Sequence, residues 1–275
     1  MKPGIYHALS NSDYHASEGV SNSGLNLVAA CPALYYALCL DPDRPPQKDR
    51  AGQLEGNLAH CAILEPHEFS NRYIVCDANG NTKAFKSFAS ANHDRELIKK
   101  AQYDVAWRQA ESISKLGDVA ECLTSGNAEV SAYWIDDETD ELCKCRPDFV
   151  HRTAGGDVIL FDVKTFSSAA PLEFARQAAR KGYYRQAAMY SEGYAEADGV
   201  NVLAFFFLVV ATEYPYFSSI IELDERALEL GREQWHNNIR TYAECKATNT
   251  WPGYGSSIET VSLPSWVFRD STLEY

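Results

Sequence analysis

Three ionisable residues in the segment 145–165, CRPDFVHRTAGGDVILFDVKT, have a spacing that can do chemistry. Asp162 and Lys164 lie two apart in 158–164, a run whose apolar, β-branched composition predicts a strand. Side chains two apart on a strand emerge on the same face. Asp148 ends the preceding segment, and Gly155-Gly156 offers a turn between the two. If the segments pair as a hairpin, Asp148 comes close to Asp162, and two carboxylates converge with one ammonium. Paired carboxylates offer oxygen ligands to a hard divalent cation, and a lysine beside them can orient or deprotonate a water. Such a set suits phosphodiester hydrolysis. Spacing alone leaves another reading open, in which Asp148 caps a turn and Lys164 is a solvated strand end. Against it, Asp162 interrupts an apolar strand, where an unpaired carboxylate is costly to bury.

Other candidates surround this set. Glu129 begins the strand expected over 129–135, where it could be a further carboxylate ligand or an ordinary surface residue. His60 lies on the helix expected over 51–64; isolated histidines more often serve structure than ligation. The stretch 171–190, PLEFARQAARKGYYRQAAMY, carries Arg176, Arg180, Lys181 and Arg185 against the single acid Glu173. Arg176 and Arg180 are one turn apart, as are Gln186 and Tyr190. This is either a solvated basic face or a helix that tracks phosphates, with tyrosines available to stack or hydrogen-bond.

The elements that position these residues follow from pattern. Residues 1–20 read as loop. Ser21 or Ser23 reads as an N-cap for a helix through Leu25, Val28 and Ala29 that closes before Pro32. A short helix over 33–40 ends at the proline-rich loop 41–46. The helix over 51–64 sets Leu54, Leu58 and Cys61 on one stripe. The polar segment 77–92 is expected to be a mobile loop, and a helix follows from 95 to 116. Strands are expected over 129–135 and 142–150; in the second, Lys144, Arg146 and Asp148 share a face. After the strand at 158–164, helices fill 169–197 with a break near Gly182. Strands over 200–211 and 217–223, a helix over 224–246 and an irregular tail with Trp251, Pro252, Pro264 and Trp266 complete the chain. The order predicts a single α/β domain over 1–275 with a central mixed sheet flanked by helices.

Composition narrows the classes. A chain of 275 residues can bury a sizeable core. The formal net charge of −13 counts mildly against simple coating of DNA. It does not count against a nuclease, because bound cations neutralise a carboxylate-rich site. The eight cysteines include no C-x-x-C pair, and only Cys245 follows Lys164, which argues against a zinc ribbon or an iron–sulfur cluster. The start MKPGIYHALS has no apolar signal region, and the longest apolar run, 202–211, is too short to span a bilayer. The expectation is a soluble cytoplasmic protein without a membrane partner.

At this point the chain resembles a known family, the RecE-type exonucleases (exodeoxyribonuclease VIII) of the PD-(D/E)xK nuclease superfamily. The resemblance rests on the order and spacing of GIYHALSNSDYH, VSNSGLNLVAACPALYY, GNLAHCAILEPHEFSNRYIV, CKCRPDF, DVKT, YYRQAAMYSEGY and SLPSW. It implies a PD-(D/E)xK restriction-endonuclease-like core and a Mg2+-dependent 5′→3′ exonuclease on double-stranded DNA ends, with Mn2+ able to substitute. The product would be a 3′ single strand for a RecT-type single-strand annealing protein, and the assembly a homotetrameric ring. Carried over by motif, His60, Asp148, Asp162 and the Val163 carbonyl would hold the metal, and Lys164 would be the catalytic lysine. Gln186 and Tyr190 fall on the glutamine-tyrosine motif, and Glu129 on an earlier acidic position. Ser21 and Ser23 fall on a serine motif near the DNA end; Asn22 stands where the family carries a basic residue between them. Two rivals remain, an endonuclease of the same superfamily and a non-catalytic protein that binds DNA ends.

Overall fold

The computed structural model describes residues 1–46, 51–78, 80 and 82–264. In chain order the elements are β1 (Gly4–Tyr6), α1 (Asn11–Ala16), α2 (Asn22–Ala30) and α3 (Pro32–Tyr35), which runs into a π-helical turn, Tyr36–Leu40. Next come α4 (Gln53–Leu64), α5 (Phe69–Arg72), β2 (Tyr73–Val75), α6 (Lys83–Ala91), β3 (Glu96–Ile98), α7 (Lys100–Ile113) and α8 (Asp118–Cys122). The strands β4 (Asn127–Ala128), β5 (Ser131–Ile135), β6 (Leu142–Cys145), β7 (Phe149–Arg152) and β8 (Val158–Phe166) follow. The chain continues through α9 (Pro171–Lys181), α10 (Tyr183–Asp198), β9 (Val202–Ala211), β10 (Ser218–Glu222) and α11 (Glu225–Thr248).

The main sheet has the strand order β10-β9-β8-β7-β4. Only β8 and β9 pair in parallel, so the sheet is mixed as expected. A smaller antiparallel sheet, β1-β5-β6, stands beside it, and β2 and β3 form a parallel pair. The central strand β8 is apolar on both faces because both are covered. Val158 and Leu160 join a core with Ala187 and Met189 of α10 and Trp235 and Ile239 of α11. Phe161 and Val163, on the opposite face, pack with Ile113, Leu208 and Val210. Alternation therefore turns Asp162 toward α10.

The turn from α9 into α10 needs Gly182, whose φ of 73° lies in the left-handed region that side chains disfavour. Gly231 lets α11 approach α10 closely, since a Cβ there would lie 2.3 Å from the Tyr184 carbonyl oxygen.

Four sequence expectations are corrected. Residues 1–20 are not all loop: they hold β1 and α1, which Ser10 caps by accepting from the Asp13 N–H at 3.0 Å. The segment 77–92 contains α6, whose cap Thr82 accepts from the Phe85 N–H at 3.1 Å. The helix expected from 95 begins only at Lys100, because Glu96–Ile98 pairs with β2 instead. Finally, the strand expected over 142–150 divides between the two sheets, and the strand expected over 129–135 begins only at Ser131, after the separate short β4. β4 and β7 belong to the main sheet and β5 and β6 to the small one, so Glu129 and the segment 146–148 lie at the seam. Trp251 stacks on Tyr35, with ring centroids 5.4 Å apart, and so ties the tail to α3. Ser265 and Trp266 of the quoted tail motif lie outside the described residues.

Candidate active site

The antiparallel pairing of β7 and β8, with Phe149 opposite Phe161, carries Asp148 to the middle of β8. The Val163 N–H donates to Asp148 Oδ2 at 2.7 Å, which fixes that carboxylate between Asp162 and Lys164. Val163 itself sits inside the sheet opposite Leu208 of β9. His60 arrives from α4, with Nδ1 3.4 Å from Asp148 Oδ2. The buried side chains Leu58, Cys61 and Ala62 hold that helix in a core with Ile98 and with Ala106 of α7.

Glu129 arrives from the seam. Its φ is 55°, a conformation uncommon outside glycine, and its N–H donates to the Asp148 carbonyl at 2.9 Å. Strain of this kind gathers at sites whose surroundings over-determine it. Ligand atoms of His60, Glu129 and Asp148 all lie within 4.8 Å of one another. One imidazole and two carboxylates at that spacing fit a divalent cation.

Asp162 is placed differently. Its Oδ1 accepts from Gln186 Nε2 at 2.5 Å, and its Oδ2 is ion-paired with Lys164. The Lys164 ammonium also lies 4.7 Å from the centre of the Tyr183 ring. Asp162 thus contacts Gln186 and Lys164 beside this cluster, and Glu129 stands with His60 and Asp148. Tyr190, one turn beyond Gln186, lines a cleft of about 3420 Å³ that His60, Glu129 and Asp148 also line.

Ser21 and Ser23 lie on the wall of the same cleft, their hydroxyl oxygens 2.9 Å apart, and Ser21 caps α2. The basic stretch divides. Arg176 is exposed and paired with Glu173 at 2.5 Å, and Arg180 is exposed in the last turn of α9. Arg185 is not part of an open basic face. It donates to Asn26 Oδ1 at 2.9 Å and to Gln234 Oε1 at 2.7 Å, fastening α10 to α2 and α11. Of this stretch's basic residues, Lys181 lines the cleft.

Two residues escaped the sequence reading. Buried Arg146 donates to Ser131 Oγ at 2.8 Å and to the Leu9 carbonyl at 2.9 Å, and its guanidinium lies 3.8 Å from the Glu129 carboxylate. The shared face of Lys144, Arg146 and Asp148 was a signal for it. Tyr183 lies three residues before Gln186 on the same helix, a spacing that also places both on one side.

The family of PDDEXK-like domains of unknown function (DUF3799) matches residues 21–264. The chain belongs to this PDDEXK-like family. No curated protein matches it. A crystal structure of a protein from Eubacterium rectale, described as a "Putative exonuclease", resembles this PDDEXK-like chain with a TM-score of 0.63 at 15% identity. That likeness covers 97% of this chain and 99% of that one, and it supports the fold. The structure of SSO0001, at 14% identity over 70% of this chain and 88% of its own, reaches a TM-score of only 0.31 and carries no argument. Among the described residues no helix is long and apolar enough to cross a membrane.

The electrostatics of this PDDEXK-like site follow from burial. Burial, with the Asp148 charge beside it, pushes the Glu129 carboxyl up to about 8, against the pull of Arg146. Burial likewise pushes Asp162 up to about 6, with Lys164 opposing. For Lys164 burial acts to lower the pKa, but Asp162 and Asp148 outweigh it and hold the ammonium above its ordinary value. As arranged, Lys164 is a fixed positive charge rather than a ready base. A dication among His60, Glu129 and Asp148 would favour the ionised carboxylates and weaken the hold on the lysine.

Proposed function

We propose that this chain is a divalent-metal-dependent exonuclease of RecE type, degrading linear double-stranded DNA 5′→3′ and leaving a 3′ single strand. The observation that carries the reading is the convergence of His60, Glu129 and Asp148 beside the buried Asp162–Lys164 pair in a large cleft. Membership of a PDDEXK-like family and the ordered motifs of the sequence support it.

His60, Glu129 and Asp148 would hold Mg2+, or Mn2+ in its place; the ion supplies Lewis-acid polarisation of a phosphate oxygen and activation of water. Lys164 places positive charge next to the metal ligands, suited to orienting the attacking water and stabilising charge on the phosphate. Asp162 and Tyr183 hold Lys164, Gln186 holds Asp162, and Arg146 holds Glu129. Duplex ends are the proposed substrate, a RecT-type annealing protein the proposed recipient of the product, and a homotetrameric ring the proposed assembly. A ring reconciles an acidic chain with DNA, because only the inner channel need be basic.

The test is incubation of linear and of closed circular duplex with magnesium, alongside a light-scattering mass. Loss of the linear form alone, from a particle of four chains, is expected. Nicked circles would indicate an endonuclease of the same superfamily, and intact DNA throughout would indicate a protein that only binds ends.

A further inference from the structure

The hairpin tip between β9 and β10 reads Thr212-Glu213-Tyr214-Pro215-Tyr216-Phe217, with three aromatic residues where turns ordinarily carry small polar ones. Tyr214 is 81% exposed and Phe217 70% exposed, and the rings of Tyr214 and Tyr216 meet edge to face at 6.2 Å. Adjoining exposed apolar side chains are where soluble proteins make contacts.

The base of this tip is held firmly. The Ala211 N–H donates to the Phe217 carbonyl at 2.8 Å, and the Thr212 N–H donates to the Phe166 carbonyl at 2.7 Å. Buried Gln109 of α7 donates to the Ala211 carbonyl at 3.0 Å, Ser112 bonds Ser218, and Ser219 donates to the Ala169 carbonyl at 2.6 Å. A rigid stem therefore presents exposed rings.

Its place follows from the parallel register of β8 and β9. Lys164 lies opposite Val209 and Phe166 opposite Ala211, so the tip begins one residue beyond the end of that pairing. Thr165, Phe166 and Thr212 all line the cleft that holds His60, Glu129 and Asp148. Tyr214 is two residues past Thr212. The tip thus begins at Thr212 on the wall of that cleft, next to the strand end that carries Lys164, with Tyr214 and Phe217 beyond the lining residues.

We propose that Tyr214 and Phe217 form a stacking platform for the nucleobases of a DNA end, holding a frayed terminal base at the mouth of the cleft. This rests on the nuclease reading above and adds to it a site for bases. The tip carries no cation and one acid, Glu213, so its chemistry suits the uncharged faces of bases and not phosphates. Stacking of a base on an aromatic ring tolerates any sequence, as degradation from an end requires.

The experiment uses blunt duplex with 2-aminopurine at one 5′ terminus, in calcium to hold it uncleaved, with the wild type, Tyr214→Ala, Phe217→Ala and Tyr214→Trp. Wild type and Tyr214→Trp should change the fluorescence of the terminal base. Each alanine variant should lose that change and bind ends about fivefold more weakly or worse, the lower bound for one lost stack. In magnesium the alanine variants should show a raised KM with kcat kept within about twofold, since the rings touch no reacting atom. Alanine variants indistinguishable from wild type in fluorescence and affinity, while wild type digests linear DNA, would overturn the platform alone. A drop in particle mass with end binding unchanged would assign the tip to contact between copies and overturn it as well. A wild type that shows the ring-dependent signal yet never cleaves would uphold the platform and overturn the nuclease reading.

Discussion

Asp148 Oδ2 accepts the Val163 N–H at 2.7 Å, so a side chain from the end of one strand is anchored on the backbone between Asp162 and Lys164 of the next. The same oxygen lies 3.4 Å from His60 Nδ1. One carboxylate thereby couples the seam of the two sheets, the central strand and helix α4. The Asp-x-Lys spacing acquires its meaning from this link, because Asp162 and Lys164 satisfy one another and Asp148 is left to face the histidine.

Asp148→Asn keeps the shape and one acceptor oxygen but removes the charge. Metal affinity and cleavage should fall together. Lys164→Ala removes no ligand and relieves repulsion with a cation, so calcium or magnesium binding by calorimetry should survive or tighten. Cleavage in a single-turnover digestion should fall by about two to four orders of magnitude, the span for losing a positioned acid–base or charge group. A Lys164→Ala protein that cuts linear duplex near the wild-type rate would remove the lysine from the mechanism.

Glu129 makes a prediction about pH. In the folded, metal-free chain its carboxyl is pushed up to about 8 from an ordinary 4.5 by burial and by Asp148. Between those values the folded state binds more protons than the unfolded one, so stability falls as pH rises through that window. With 38% of the side chain exposed, solvent screening reduces the slope. Denaturant midpoints in EDTA should therefore decline from pH 5 to pH 8.5, and Glu129→Gln should flatten the decline. Saturating magnesium should reverse the wild-type trend, because it binds the ionised form.

The sequence made some of this visible and hid the rest for identifiable reasons. The strand β8 announced itself because burial on both faces leaves a continuous apolar run, and Asp162 stood out against it. The break at Gly182 and the cap at Ser21 are local chemistry and could be read locally. The division of one strand at 146–148 and the exclusion of Glu129 from β5 could not, since period-two alternation continues across a seam marked by backbone geometry. The helix α1 was missed because much of its hold is tertiary: Lys144 donates to the Tyr14 carbonyl at 2.8 Å, and the Arg146 guanidinium lies 4.3 Å from the centre of the Tyr14 ring. Arg185 shows the same limit, its partners Asn26 and Gln234 being remote in the chain.

The divided basic stretch gives a direct contrast. If Arg176 and Arg180 contact phosphates, replacing either by alanine should weaken binding to every DNA sequence. The log–log salt slope should also flatten by about one per lost contact. Arg185→Ala should instead lower the unfolding free energy by about 1–3 kcal/mol, because Asn26 and Gln234 lose a half-buried charged donor. Its salt slope should stay at the wild-type value. A flattened slope in Arg185→Ala with stability unchanged would return that residue to the DNA-facing side.

Gln186 supplies the last test, because its amide is the neutral partner of a buried carboxylate whose pKa is pushed up to about 6. Gln186→Ala leaves Asp162 Oδ1 without its donor, at a cost of about 1–3 kcal/mol. The cost should depend on pH, since an ionised carboxylate needs that donor more than a protonated one. It should be larger at pH 8 than at pH 5. Gln186→Glu places a second carboxyl against the first, and two such groups in contact cannot both ionise cheaply. That variant should be the least stable of the three proteins at pH 8 and recover markedly at pH 5, where one proton can be shared. Because Asp162 also holds Lys164, cleavage should fall in both variants, more steeply with rising pH in Gln186→Glu. Chemical unfolding at the two pH values, beside a magnesium-dependent digestion, measures both effects. Equal stability loss at pH 5 and pH 8 in both variants would mean that the amide packs against Asp162 without responding to its charge.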